Sequence, residues 1–497
     1  MPETNEVVRV ATGPSLREAV VAIADTVSEA ILTAIGATLP ATPHEFVELE
    51  RRLSVVGVSG VVGPVIQAVL RELQQSPDYM RYALEVGRGK RPLVKAGHRD
   101  VAVAVGFGAV AVVDTLYATP PRPRPGEYPD RMRGPSGSGC YPLLVSLGFL
   151  GRTSPLMTST VARAAAELGS FAEARDSLAA RGINLDFKGV RTLANRVADA
   201  CLEARRAREK APPTRELAGK RVIVTFDGGR VRTRVDKRGR VREESGRHGY
   251  HAPWREPVLV AIYQVDDKGK KTKDRPWYEG TLEGWDAAFG IALDLLCYLG
   301  ARHARELVVA GDGAAVIWDR VDDLIGAVGI PKGRVKLFAD FWHAVQHLHA
   351  VADLMCSWTP EERARWVRAR RRELFEGRID DLVAGIQQHA VGRNARKIAK
   401  EADYFWTRAH LMQYGELRAA GLPIGTGAVE SAIRRVVNLR MKGAGVFWQE
   451  ANAERMLLLR CRLKAGRWDD LENDVHAQAG ALHGGRLQLE RERAAAS

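Results

Sequence analysis

The chain has 497 residues, too many for one ordinary domain, and its 45% hydrophobic share is ample for buried cores. Lys and Arg number 74 against 60 Asp and Glu, and a net charge of +14 favours polyanionic partners, because phosphate contacts release condensed counterions; an arginine-rich composition would leave the same surplus without any binding surface. The five cysteines, Cys140, Cys201, Cys297, Cys356 and Cys461, are odd in number and include no close pair, which points to reduced thiols in a cytosolic protein.

The opening MPETNEVVRV is polar and acidic and is not expected to act as a signal peptide. Residues 14–39 and 46–75 carry apolar side chains at helical spacing, as in Leu16, Val20, Ile23, Val27 and Ile31, and are expected to be amphipathic helices suited to self-association. Val101–Val113 alternates valine and alanine around Gly106-Phe107-Gly108, which predicts a hairpin and is too short to span a membrane. The segment 119–139, rich in Pro, Gly and Arg, is expected to be a linker without regular structure.

Residues 154–203 read as helical and contain a helix-turn-helix candidate. Ser170 and Glu173 make a capping box for a helix through Ala180, Gly182 supplies the turn, and a second helix is expected over 186–202. On that helix Phe187, Val190, Leu193 and Val197 would face inward, leaving Lys188, Arg191, Asn195 and Arg196 for the major groove of DNA. An ordinary helical pair would have the same pattern.

After a polar linker at 205–221, strands are expected at 221–226, 230–235 and 257–265. A helix at 285–299, a strand at 306–310, a helix at 315–328 and a strand at 334–339 follow. Asp227 comes just after the apolar run RVIVTF, and Asp312 sits in GDGA after ELVVA. Glu430 lies in PIGTGAVES, where a glycine-rich turn opens a basic helical stretch. Three converging carboxylates suit hard divalent cations such as Mg²⁺, and two such ions serve in-line displacement at phosphorus. Asp227 and Asp312 are 85 positions apart, and Asp312 and Glu430 are 118 apart, which demands an inserted element in the second interval; residues 344–420 are helical in pattern. Asp266, Asp267, Asp319 and Glu283 compete for the site but read as solvated loop or helix-surface charges.

The blocks VIVTFDGGRV, VVAGDGAAVIWD, LFADFWHAVQHL and PIGTGAVESAIRRVVNLRMKGAGVFW, in this order, resemble a DDE transposase of a bacterial insertion sequence, of the ISKra type within the broader Mutator-like set. The resemblance covers about residues 221–468 and is only an outline before them. It implies a multidomain protein. An α-helical DNA-binding region with a helix-turn-helix would precede an α/β RNase H-like catalytic domain interrupted by an α-helical insertion. The expected divisions are 1–118, helices and hairpin; 119–139, linker; 140–204, helix-turn-helix domain; 221–343 and 421–470, the two parts of the catalytic domain; 344–420, the insertion; and 471–497, a tail.

The resemblance further implies that Asp227, Asp312 and Glu430 hold two Mg²⁺ or Mn²⁺ ions and carry out DNA cleavage and strand transfer. Asp340 and His343, in DFWH, match an Asp-or-Cys, two residues, His signature of that group; they would position the site's edge or contact DNA, or form a buried His–Asp pair. Arg434, Arg435, Arg440 and Lys442 would track the DNA backbone on a helix beginning near Gly427, whose N-terminus favours phosphate. Trp448 is expected in the core. Paired cysteines that hold zinc in relatives of this group are reduced here to Cys140, so no structural zinc is expected. HAVQH lacks the glutamate of HExxH, which argues against a zinc hydrolase at His343, His347 and His349. The expected partners are double-stranded DNA at the element's ends and target, and further copies of the chain, with no membrane. The rival readings are a domesticated DNA-binding protein that does not cut, and an RNase H-fold nuclease without strand transfer.

Overall fold

The apolar run Val222-Ile223-Val224-Thr225-Phe226 forms a strand, β3 (Arg221–Gly228), buried on both faces. The computed structural model describes residues 9–35, 49, 52–88, 93–119, 139–237, 239, 241 and 249–476. These fall into two units, one drawn from Met1–Ala204 with Asp469–Ser497 and the other from Arg205–Trp468. The linker expected over 119–139 lies almost wholly outside the described residues, as does the tail beyond residue 476.

In the first unit, α1 (Pro14–Ile35) and α2 (Gly63–Gln75) pack together, and a π turn at Gly57–Val62 leads into α2. The apolar face of α1 is only half covered: Val20, Val21, Ile31 and Leu32 are exposed, and Ala34 alone is buried. Arg52–Gln75 is long and apolar enough to cross a membrane by length and composition alone. One face of α2 is docked on a hairpin. Gln67 accepts the N–H of Val112 at 3.1 Å, Gln74 accepts the hydroxyl of Thr115 at 2.7 Å, and Leu70 is buried. After α3 (Pro77–Arg88), the hairpin consists of β1 (Val94–Ala104) and β2 (Val110–Thr119), with Val101 paired to Val113. Its turn puts the exposed Phe107 at φ 62, and Gly108 lies so close to the carbonyl of Gly182 that no side chain fits there.

The helices α4 (Pro142–Ser146), α5 (Pro155–Glu167), α6 (Phe171–Ala179) and α7 (Phe187–Ala207) follow. Ser170 caps α6 by accepting the N–H of Glu173, while the Glu173 carboxylate returns to the N–H of Gly169 and not to that of the cap itself. Gly182 takes φ 80 in the turn. Val190, Leu193 and Val197 are buried, but Phe187 is 42% exposed and meets Phe171 edge-on at 5.9 Å, so its expected inward orientation is corrected. Residues 471–476 are helical and not a tail: Leu471 and Val475 are buried in this unit, and the Glu472 carboxylate accepts the Ser159 hydroxyl.

In the second unit β3 is the middle of a five-stranded mixed sheet. The other strands are β4 (Val258–Val265), β5 (Trp277–Thr281), β6 (Glu306–Gly311) and β7 (Val335–Ala339). The order is β7-β6-β3-β4-β5, with β6 parallel to both β3 and β7, and β4 antiparallel to β3 and β5. The strand expected at 230–235 is not in this sheet. Its arginines interrupt the apolar run, and it forms only short ladders, Val231–Arg232 with Trp254–Arg255 and Val235–Asp236 with Tyr250–His251. Its place is taken by β5, whose central Glu279 reads like a loop residue. The burial of that charge is made possible by Arg208 at 2.7 Å and Arg462 at 3.5 Å.

The period of two sends Val222, Val224 and Phe226 to one face, against α8 (Trp285–Tyr298) and α9 (Ala315–Val328), where Phe226 stacks on Phe289 at 4.2 Å. Ile223 and Val308 point to the other face. That face is covered by α10 (Phe341–Asp353), α11 (Pro360–Glu376), α12 (Ile379–Gln387), α13 (Ala395–Thr407) and α14 (Tyr414–Ala419). The α12 and α13 helices pack together, and the turn between them carries Val391, 71% exposed, and Gly392 at φ 66. A short helix α15 (Gly427–Ile433) runs into a π turn at Arg434–Asn438, whose carbonyls at Arg435 and Val436 accept from the buried Arg460 guanidinium of α16 (Glu450–Lys464).

Candidate active site

The parallel register brings two acids to one sheet edge. Thr225 pairs with Ala310; Asp227 comes two residues later in β3, and Asp312 two residues later, just past the end of β6. The α15 helix packs on β3 and β4 and supplies Glu430, which is exposed. Burial pushes the Asp227 carboxyl up from its ordinary 3.8 to about 6; a backbone bond at Gly228 opposes this, and repulsion from Asp312, Glu430 and Glu256 adds to it. Among the described residues, no cationic side chain contributes to that shift.

Asp312 is held by its own turn. Its Oδ1 accepts the N–H of Ala314 at 2.9 Å, and its carbonyl accepts the indole N–H of Trp318 at 2.8 Å. Arg408, just after α13, donates to the carbonyl of Gly313 at 2.7 Å. A Cβ on Gly313 would collide with the hydroxyl of Tyr404 on α13, so the glycine of GDGA makes room for the insertion.

Asp340 is 2% exposed and does not reach the surface. Its Oδ1 caps α10 by accepting the backbone N–H of His343 at 2.7 Å; the imidazole of His343 is not its partner. Its Oδ2 accepts both the N–H and the hydroxyl of Thr426, at 2.7 Å for the hydroxyl. The backbone of Asp340 donates to the carbonyl of Gly311 at 2.7 Å, and the next amide, of Phe341, donates to Ile424 at 2.9 Å. Asp340 therefore joins the strand end before Asp312 to the turn before Glu430. Its carboxylate is thus spent on three protein donors and closed to solvent. His343 is half-buried, with its ring 5.3 Å from that of His347, and His347 Nδ1 lies 2.7 Å from Glu401.

The basic residues separate by exposure. Arg434 and Lys442 are exposed, and Arg435 bonds the Tyr278 hydroxyl at 3.0 Å. Arg440 is 5% exposed, its guanidinium 5.2 Å from the ring of Trp448, itself buried. Its assignment to DNA is corrected, because it is part of the packing around Trp448. In the first unit Lys188 and Arg196 are exposed, while Arg191 and Asn195 are half-buried.

Two site neighbours escaped the sequence reading. Glu256 lies over Gly228, where a Cβ would collide with its carboxylate, and it faces the Trp285 indole N–H at 3.4 Å. Tyr404 is stacked on His347 at 3.7 Å. Glu256 stands just before the buried strand β4, which is a signal; Tyr404 lies in a helix distant in sequence and had none.

The donor set is all carboxylate oxygen, which suits a hard divalent cation. Among the described residues, no three Asp, Glu, His or Cys side chains are gathered tightly enough to hold a metal as they stand. Asp227, Asp312 and Glu430 thus form a mutually repelling set, which a cation would draw together.

No family model matches the sequence, and no curated protein matches it. Among solved structures, the Drosophila P element transposase strand transfer complex is similar at a TM-score of 0.24 and 11% identity, over 63% of this chain and 80% of that one. A likeness at that level does not establish a common fold.

Proposed function

We propose that the chain is a DNA transposase of the insertion-sequence type. In this reading Arg205–Trp468 is an RNase H-like catalytic unit whose active site is Asp227, Asp312 and Glu430. The observation that carries it is the register: two aspartates leave adjoining parallel strands at the same level, and a helical glutamate is close enough to raise the first. The strand order β7-β6-β3-β4-β5, with a helical layer on each face, supports it further.

The three carboxylates would hold two Mg²⁺ or Mn²⁺ ions, which when bound lower the pKa of an attacking water or 3′ hydroxyl and offset charge on the leaving oxygen. The chain's own part is to place those oxygens. The β3 strand fixes Asp227, the Ala314 and Trp318 bonds fix the Asp312 turn, and Asp340 fixes the Thr426 turn that opens the helix of Glu430. Exposed Arg434 and Lys442 lie near in sequence to receive the DNA backbone. In the first unit the α6–α7 pair would act as a helix-turn-helix on the element's ends, with Lys188 and Arg196 outermost. The protein would work in the cytoplasm as a homo-oligomer, since two ends must be held at once.

The test is cleavage and strand transfer on a plasmid bearing the DNA that flanks the coding sequence, in Mg²⁺. Asp227→Asn, Asp312→Asn and Glu430→Gln are each expected to lose activity by at least about a hundredfold, with circular dichroism unchanged. Wild-type turnover by any of the three removes that residue from the site. Cutting without end joining would replace the transposase with a nuclease of the same fold.

A further inference from the structure

The Tyr404 hydroxyl is closed to solvent and has no hydrogen-bond partner, although its ring is fixed by the stack on His347 and lies beneath the Arg408 guanidinium at 4.6 Å. A buried donor without a partner is costly, about 1–3 kcal/mol, and is rarely retained without a role. Burial pushes the phenol up, so it keeps its proton and is a donor. Because the oxygen is shut off from bulk water, the acceptors that matter are the groups already around it. Each oxygen of Asp340 already accepts from His343 or Thr426, and Glu401 is engaged by His347. What singles out the Asp312 carboxylate is position: it adjoins Gly313, where an added Cβ would meet the hydroxyl, and only its Oδ1 is used, by Ala314.

We infer that Tyr404 is a positioning residue for the carboxylate site: its hydroxyl donates to Asp312 when a divalent cation draws the carboxylates together. The inference rests on the reading of Asp227, Asp312 and Glu430 as a cation site. It makes the helical insertion a working part of that site, contributing one donor across the Gly313 turn.

The test is Mn²⁺ binding to the full chain by calorimetry, with the Mn²⁺-induced rise in unfolding midpoint taken within each variant. Tyr404→Phe removes one oxygen that has no partner without cation and keeps the ring and its stack, so the cation-free midpoint is expected to stay at or above the wild-type value. Mn²⁺ affinity is expected to fall about tenfold, the value of one charge-assisted hydrogen bond, with the induced shift reduced in step. Equal Mn²⁺ affinity in wild type and Tyr404→Phe overturns the role of Tyr404 while leaving the cation site standing. A wild-type chain that takes up no Mn²⁺ overturns the cation site itself, and this proposal with it.

Discussion

Asp340, the residue that follows β7, accepts hydrogen bonds from both the backbone amide and the hydroxyl of Thr426, 86 residues further along the chain. The same carboxylate caps α10. One side chain thus closes the loop made by the entire helical insertion, and it does so four residues before Glu430. Asp340→Ala would remove a helix cap and strand the buried Thr426 donors, a loss of about 3 kcal/mol from the cap and the unsatisfied groups together. Urea unfolding of the full chain is expected to show it, with DNA cleavage lost as well. Thr426→Ser should retain both, and a Thr426→Ser chain as damaged as Asp340→Ala would show that the hydroxyl bond is not what matters.

The raised Asp227 carboxyl gives stability a definite pH dependence. Its folded pKa, about 6, lies above its ordinary 3.8, so its contribution is full below about pH 4 and is lost as pH rises through 6. Without divalent cation, the wild type should lose about 2 kcal/mol between pH 4 and pH 8, allowing for partial exposure. Asp227→Asn should flatten that part of the profile. Adding Mg²⁺ at pH 8 should stabilise the wild type more than the variant; equal responses would detach Asp227 from cation binding.

The exposures of Arg434, Arg440 and Lys442 predict opposite behaviour along one short segment. Arg434→Ala and Lys442→Ala should each weaken DNA binding and reduce the log–log salt slope by roughly 0.9 per lost phosphate contact. Arg440→Ala should leave the slope intact and lower the unfolding midpoint, since the side chain packs on Trp448. Filter binding across salt concentrations, beside thermal unfolding, distinguishes them.

Glu279 is fully buried between arginines on the edge strand β5. Glu279→Gln leaves the positive charges uncompensated and should cost about 3–5 kcal/mol. A chemical-denaturation midpoint unchanged from wild type would show that these arginines are satisfied elsewhere.

Leu16, Val20 and Val21 of α1 and Val65 and Val69 of α2 line an apolar groove. If copies associate through it, Val20→Glu with Val21→Glu should yield monomers by light scattering. A double variant with the wild-type mass would place the interface elsewhere.

Where neighbouring residues decide the structure, the sequence was easily read. The apolar run before Asp227 forms β3, and the spacing over 315–328 gives α9 with the bounds expected. Reading failed where a distant partner rewrites a residue's meaning. Glu279 looks like a loop residue until Arg208 and Arg462 are brought to it, so β5 was missed and the arginine-rich 230–235 took its place. Arg440 looks like a surface cation until Trp448 covers it. The carboxylates at the ends of β3 and β6 were visible because strand ends announce themselves. Asp340's hold on Thr426 and Tyr404's approach to Gly313 were not, because no local pattern encodes a contact across the insertion.

The turn between α12 and α13 offers a practical handle. The insertion is fastened to the acid-bearing edge of the sheet at Arg408–Gly313 and Asp340–Thr426, whereas Val391 is largely exposed and a Cβ on Gly392 would meet nothing within 4 Å. A cysteine placed at Val391, in a chain whose exposed Cys297 and Cys356 have been replaced, would carry a fluorophore without disturbing either fastening. Its emission would then follow the insertion as DNA is added, giving a real-time signal from the helical layer that separates the second acid from the third.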